Sequence, residues 1–76
     1  MNWRERIEEK AEVLGGKPVI KGSRLSVEFL LGLMAAGWEQ REILENYPGL
    51  SREDLLACLQ YAQELLETEQ IVPLSA

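Results

Sequence analysis

The chain has 76 residues, of which 46% are hydrophobic and 28% are charged, and its formal net charge is −5. This length allows one domain with one small core, and no apolar run reaches the roughly 20 residues that a membrane-spanning helix requires. The sequence contains no histidine and one cysteine, Cys58, which excludes an intrachain disulfide, a zinc finger and a Ser-His-Asp or Cys-His catalytic site within one chain. We therefore expect no enzymatic activity, no cofactor and no metal, and we expect Cys58 to be a buried core thiol.

The charges are unevenly distributed along the chain. Residues 1–24 carry six basic and four acidic side chains, whereas residues 25–76 carry two basic and nine acidic ones. A mildly basic N-terminal third thus precedes a strongly acidic remainder. The first residues, MNWRERIEEK, lack the apolar stretch of a signal peptide, so the expected location is the cytoplasm.

Residues 3–14 are compatible with two structures. Their apolar residues recur at helical spacing, and Gly15 could end such a helix. The segment WRERIEE is equally suited to a short edge strand with Trp3, Glu5 and Ile7 on one side. The sequence pattern does not choose between helix and strand here.

Residues 17–25 are predicted to be extended. Pro18 disfavours helix at the residue before it, and Val19 and Ile20 favour a strand. Gly22 lies between PVIK and SRLS, where a tight turn requires a positive φ angle. These features predict a short hairpin or a paired extended arm.

The first helix is predicted to begin after Ser26, whose hydroxyl can accept a hydrogen bond from a free N–H group of the first turn. The segment VEFLLGLMAA that follows is almost wholly apolar, so this helix is expected to be central. Gly37 is its expected C-cap. The second predicted helix, EQREILENY, ends at Pro48 and Gly49.

The third helix has the clearest start signal, because Ser51 and Asp54 have the spacing of a capping box. An apolar stripe at three- and four-residue spacing predicts its buried face: Leu55, Cys58, Leu59, Ala62, Leu65 and Leu66. Leu59 lies in the middle of this stripe and is expected to be buried, whereas Gln60 is expected to be exposed.

Together these elements predict a mainly α fold in a single domain that spans residues 1–76. Residues 1–25 would form the extended arm or hairpin, residues 26–67 a three-helix core, and residues 68–76 a tail. The Gly-containing segment YPGL joins the second and third helices, and this connection fits a helix-turn-helix.

Three blocks of the sequence, in this order, resemble a bacterial family known as domain of unknown function 433: GGKPVIKGSRLSV, LLGLMAAGW and REILENYPGLSREDLLACLQYA. The resemblance covers residues 6–66. It implies a homeodomain-like helix-turn-helix core and a VapB-type antitoxin, which would bind operator DNA and neutralise a toxin ribonuclease. The chain differs from the family pattern at the second helix, where Glu39 and Gln40 replace Ser-Pro, and in its short tail after the third helix.

The resemblance also suggests which residues would carry the function. By position, the hairpin motif of the family corresponds to Lys17, Pro18, Lys21, Gly22 and Arg24. The turn before the third helix corresponds to Tyr47, Pro48, Leu50 and Ser51. Combined with the positions of the basic residues, this gives the predicted DNA-binding set: Lys17, Lys21, Arg24, Ser51 and Arg52. Arg24 could instead pair with carboxylates of the third helix.

The charge of the third helix supports a different function. Arg52 is its one basic residue and is followed at once by Glu53 and Asp54. Because phosphate attraction supplies most non-specific affinity for DNA, such a helix would repel DNA. The alternative hypothesis is an acidic protein-interaction module that binds a basic partner without contacting DNA.

A small core and an unpaired strand edge favour the association of two chains. We predict a homodimer joined through the N-terminal arm, with the apolar tail segment IVPL folding over the same contact. The alternative is a monomer in which residues 1–14 form a fourth helix that covers the first helix.

Overall fold

A computed structural model describes residues 2–67 of the chain. Its regular elements are two strands, β1 (Ile7–Glu8) and β2 (Val19–Ile20), and three helices, α1 (Val27–Ala35), α2 (Gln40–Asn46) and α3 (Arg52–Glu67). This confirms a mainly helical fold in which a short extended N-terminal part precedes three helices. Residues 68–76, with the predicted tail contact of IVPL, lie outside the described residues. No helix within residues 2–67 is long and apolar enough to cross a membrane.

The N-terminal segment contains a strand instead of a helix. Trp3–Glu5 forms one 3₁₀ turn, and β1 then pairs antiparallel with β2, with Ile7 directly opposite Ile20. The strand alternative is therefore confirmed at Ile7 and Glu8 but not at Trp3–Glu5. The helix over residues 3–14, which would have made a fourth helix, is wrong. The physical reason is burial, because the pairing places two isoleucines that are each 4% exposed side by side in the core.

Strand β2 has neighbours on both sides. On the side away from β1, the Ile20 N–H donates to the Leu25 carbonyl (3.0 Å), and Val19 forms an isolated bridge with Ser26. Gly22, with φ 76°, forms the turn between them as predicted. The homodimer prediction assumed an unpaired edge of β2, and β1 occupies that edge. The homodimer itself stays a prediction.

The first two helices have side-chain caps at their N-termini. The Ser26 hydroxyl accepts a hydrogen bond from the Phe29 N–H (2.9 Å), and Gly37, with φ 97°, follows the end of α1. At α2, the Glu42 carboxylate accepts from the Glu39 N–H (2.9 Å). This bond is one half of a capping box, so α2 keeps a cap although the family's Ser-Pro pair is missing.

The core draws apolar residues from all five strands and helices. The buried ones are Ile7, Val19, Ile20, Val27, Leu30, Ile43, Leu50, Leu55, Ala57 and Cys58. At the start of α3, the Ser51 N–H donates to the Asp54 carboxylate (2.9 Å), and the Asp54 N–H donates to the Ser51 hydroxyl (3.3 Å). The predicted capping box is therefore confirmed.

The buried face of α3 differs from the predicted face. Leu55 and Cys58 are buried as expected, but Leu59 is 48% exposed. Leu65 and Leu66, at the C-terminal end of the predicted stripe, are 53% and 55% exposed. The prediction that Leu59 is a core residue is wrong.

The N-terminal arm explains this difference, because it packs against α3 beside the helix core. The Trp3 N–H donates to the Gln60 side-chain carbonyl (2.9 Å), and the indole N–H donates to the Glu64 carboxylate (2.9 Å). The Trp3 ring also meets the Tyr61 ring edge-on, with centroids 4.8 Å apart. The arm thus covers the side of α3 that carries Gln60, which is partly buried and not exposed as predicted. The side with Leu59 is left facing solvent.

An ion pair links Arg6, the residue before β1, to the start of α3. Arg6 Nη1 lies 3.1 Å from Asp54 Oδ1 and 3.4 Å from the Ser51 hydroxyl. The Asp54 side chain is only 10% exposed, so its charge is stabilised by Arg6 and by the Ser51 N–H. The same carboxylate therefore caps α3 and fixes the extended segment against it.

We expect the two leucines of α3 to contribute very differently to stability. Leu55→Ala should lower the free energy of unfolding by about 2–5 kcal/mol, because the 2% exposed side chain leaves a cavity in the core. Leu59→Ala, the matched control on the same helix, should cost less than about 1 kcal/mol. Urea denaturation followed by circular dichroism measures both. Equal losses at the two positions would contradict this orientation of α3.

We expect the Arg6–Asp54 pair to matter far more than the exposed Lys17–Glu28 pair. Arg6→Gln should lower stability by about 1–3 kcal/mol, because a nearly buried carboxylate loses its charged partner. Lys17→Gln should cost less than about 0.5 kcal/mol, since both side chains of its pair lie largely in solvent. Thermal unfolding of the two variants tests this. A loss in the Arg6 variant no larger than that in the Lys17 variant would rule out the assigned role.

Candidate functional site

The side of α3 that faces away from the core consists of regularly spaced residues. It carries residues spaced four, three, four and three positions apart: Arg52, Leu56, Leu59, Gln63 and Leu66. We call these five residues the outer face of α3. Leu56 is partly buried, and the other four residues are exposed. The outer face therefore presents leucine side chains to solvent in the central and C-terminal part of the helix.

Acidic residues border the outer face on one side. Glu53 and Glu67 each follow an outer-face residue, and both are exposed. Neither forms an ion pair within residues 2–67, although the Gln63 side-chain amide donates to the Glu67 carboxylate (3.3 Å). Arg52 is the one basic residue of α3. The local charge is thus negative, as the sequence predicted.

The predicted DNA-binding cations Lys17 and Lys21 line different depressions. Lys17 lines a mainly apolar groove of about 330 Å³ between α1 and α3, where its ammonium lies 3.0 Å from the Glu28 carboxylate. Lys21 lines a different cleft, of about 320 Å³. Arg52 lies on the outer face of α3, about half a turn around the helix from Asp54. Lys17 and Lys21 lie on either side of β2, whereas Arg52 lies at the start of α3.

The cleft that contains Lys21 lies between the turn after β2 and the segment that joins α2 to α3. Gly22, Ser23 and Leu25 line one side, and Gly49 and Leu50 line the other. Arg6 and Asp54, already paired with each other, complete the lining together with Glu5 and Ile20. The structure therefore brings the two sequence motifs of the family resemblance together at one cleft.

Lys21 and Arg24 remain available to a partner. Both are exposed, and neither forms an ion pair within the part of the chain that the structure describes. The predicted alternative, in which Arg24 pairs with an α3 carboxylate, is wrong because Arg6 occupies that role. Sequence reasoning missed Arg6, since no local pattern separates it from the neighbouring basic residues.

Ser51 serves the fold. Its hydroxyl accepts from the Asp54 N–H and from Arg6, and these contacts hold it at the helix start. Its assignment to DNA binding therefore has no support in its geometry. The cations at the turn, Lys21 and Arg24, are exposed, as a phosphate contact requires.

Cys58 is buried in the core, as predicted. Burial, together with the nearby Asp54 charge, raises the pKa of its thiol to about 12. The thiol therefore stays protonated and unreactive at neutral pH. Within residues 2–67, no group of three or more His, Cys, Asp or Glu side chains is arranged to hold a metal ion.

The chain is similar to known proteins in both sequence and structure. Residues 7–62 match the family model described as "Protein of unknown function (DUF433)". The crystal structure of a DUF433 member protein from Anabaena variabilis ATCC 29413 superposes with a TM-score of 0.76 and 35% sequence identity, over 83% of this chain and 62% of that chain. The uncharacterized protein y4eO of Sinorhizobium fredii is 33% identical over 60 residues, which are 79% of this chain but only 27% of that relative. Because the family model covers well over half of its residues, the chain belongs to the DUF433 family.

Proposed function

We propose that this chain is a protein-binding module with a helix-turn-helix core, and that the outer face of α3 is its binding surface. In a homeodomain-like arrangement, the helix after the turn is the one presented to a partner, and in DNA-binding members it enters the major groove. Here that helix exposes Leu59 and Leu66 with acidic neighbours. This composition is the observation that carries the proposal.

The chemistry of the outer face favours protein over DNA. A DNA-binding surface neutralises phosphates with lysine and arginine, whereas α3 offers only Arg52. Exposed leucines gain free energy when a partner removes them from water. The partner should therefore combine an apolar patch with a basic rim that pairs with Glu53 and Glu67.

The antitoxin hypothesis fits this chemistry on its protein-binding side. A toxin ribonuclease must bind RNA, and RNA-binding surfaces are basic. An acidic helix that carries leucines is suited to cover such a surface. In this role the chain would have no catalytic activity, and its partner would be encoded next to its own gene.

We expect the chain to bind the protein encoded by the adjacent gene through α3. Leu59→Arg should weaken that binding at least tenfold, because it removes an apolar contact and adds a charge that repels a basic partner. The double variant Lys21→Gln with Arg24→Gln is the control and should bind normally. Isothermal titration calorimetry measures all three proteins. Undiminished binding by the Leu59 variant would overturn the assignment of α3.

DNA binding through the turn after β2 is the second candidate function. Its support is that Lys21 and Arg24 are exposed and form no ion pair within residues 2–67. Operator binding would also benefit from the predicted homodimer, since two-fold symmetry sets the spacing of two half-sites. Sedimentation would detect that dimer as a species of twice 8.6 kDa.

If this second function holds, the turn should supply the electrostatic attraction. Lys21→Gln with Arg24→Gln should weaken binding to the DNA upstream of the gene and reduce the slope of its salt dependence by about 0.9 for each phosphate that is no longer neutralised. Lys17→Gln should change the slope little, because Lys17 is paired with Glu28 at a separate groove. Mobility shifts at several salt concentrations provide the measurement. An unchanged slope in the double variant would eliminate the turn as the DNA-binding element.

A further inference from the structure

The outer face of α3 has the spacing of a coiled-coil heptad. Leu56 and Gln63 are seven residues apart, and so are Leu59 and Leu66. The two pairs alternate at three- and four-residue steps, which is the pattern of the a and d positions. Such a pattern winds along one side of a helix and fits the matching side of a second helix. The spacing of the outer face is therefore compatible with a helical partner.

This heptad is separate from the packing that holds the domain together. The core uses another side of α3, where Leu55, Ala57 and Cys58 are buried. The arm occupies a third side through Trp3 and Gln60. The exposed residues of the outer face are therefore outside both contacts, although Gln60, which borders the face, is bonded to the arm. Since α3 has 16 residues, it offers a helix of about 24 Å for contact with a second helix.

We propose that the outer face of α3 binds an amphipathic helix of a partner protein, one with an apolar a/d stripe and lysine or arginine beside it. The identity of this partner element rests on the proposed protein-binding function. The basic character of the partner follows from the charge beside the leucines, because two of the three e positions hold Glu53 and Glu67, which form no ion pair within residues 2–67. The e position between them holds the neutral Gln60. In coiled coils these flanking positions choose the partner by opposite charge.

A second copy of the chain matches this face less well. Its α3 would bring the same acidic flank, and Arg52 at the N-terminal end is the one cation that each helix could offer. Like charges beside an apolar stripe disfavour pairing. A basic helix from a different protein has no such conflict.

Gln63 gives the interface a defined register. It is the polar residue within the apolar part of the heptad, between Leu59 and Leu66. A polar a position stabilises the alignment in which it meets a polar partner and disfavours shifted alignments. The partner helix is therefore expected to place Asn or Gln opposite Gln63.

Two synthetic helices test the proposal. Both carry leucine or isoleucine at a and d with one asparagine, and they differ only in having lysine or glutamate at e and g. Fluorescence anisotropy with the full chain should show the basic peptide binding at least tenfold more tightly than the acidic one, and more weakly as salt rises. Equal binding of the two peptides, or binding of neither, overturns the proposal.

Variants of the full chain locate the peptide. Leu59→Gln and Leu66→Gln should each weaken binding of the basic peptide at least tenfold. Leu14→Gln is the matched control, because Leu14 is 46% exposed but lies outside the three α-helices, and it should bind like the unchanged chain. Equal losses in all three variants would overturn the proposal. So would a species of twice the chain mass that Leu59→Gln dissociates, because a second copy would then occupy the face.

The peptide experiment can fail separately from the proposed function. If the adjacent gene's protein binds and Leu59→Arg abolishes that binding, but no basic helix binds, then α3 binds protein by another geometry. That result overturns the helical partner alone. If the basic peptide binds and the adjacent gene's protein does not, the helical interface stands and the assigned partner is wrong.

Discussion

The ion pair between Arg6 and Asp54 is the contact on which the rest of the structure depends. Asp54 caps α3 through Ser51 and pairs with a residue next to β1, so one carboxylate joins the extended segment to the last helix. This contact brings the N-terminal arm alongside α3, where Trp3 packs against Tyr61. The orientation of α3 follows, because two of its sides are then occupied by the core and by the arm. The outer face is the side that remains toward solvent.

The chemistry of that outer face determines how the protein can act. A helix in this position would need cations to bind DNA, yet it carries exposed leucines, and its flanking glutamates form no ion pair within residues 2–67. Lys21 and Arg24, which are exposed, lie at the turn after β2, where Lys21 lines a different depression. Protein binding and nucleic-acid binding would therefore use separate surfaces of one small domain. Because the two surfaces are separate, a substitution in one surface is expected to leave the other surface unchanged.

Local signals predicted a large part of this structure. The capping residues Ser26 and Ser51, the turn at Gly22 and the end of α1 at Gly37 were all identified correctly, because each depends on a few neighbouring atoms. The candidate site was predicted less well. Charge patterning indicated that α3 is acidic, but it did not indicate that Lys17 and Lys21 line different depressions. Their separation depends on how the elements pack, and no spacing along the chain encodes it.

By itself, the sequence determined the helical class, the helix boundaries signalled by caps and turns, and the negative charge of α3. Tertiary structure decided between strand and helix at Ile7, because burial opposite Ile20 outweighed the helical spacing of a short, charged segment. It also decided which side of α3 faces the core. Leucines lie on more sides of α3 than the core and the N-terminal arm cover. The spacing of the leucines therefore could not show that Leu59 is outside the core. The N-terminal arm, which packs at Gln60, determines which side of α3 faces solvent. It does so through contacts between residues that are far apart in the chain.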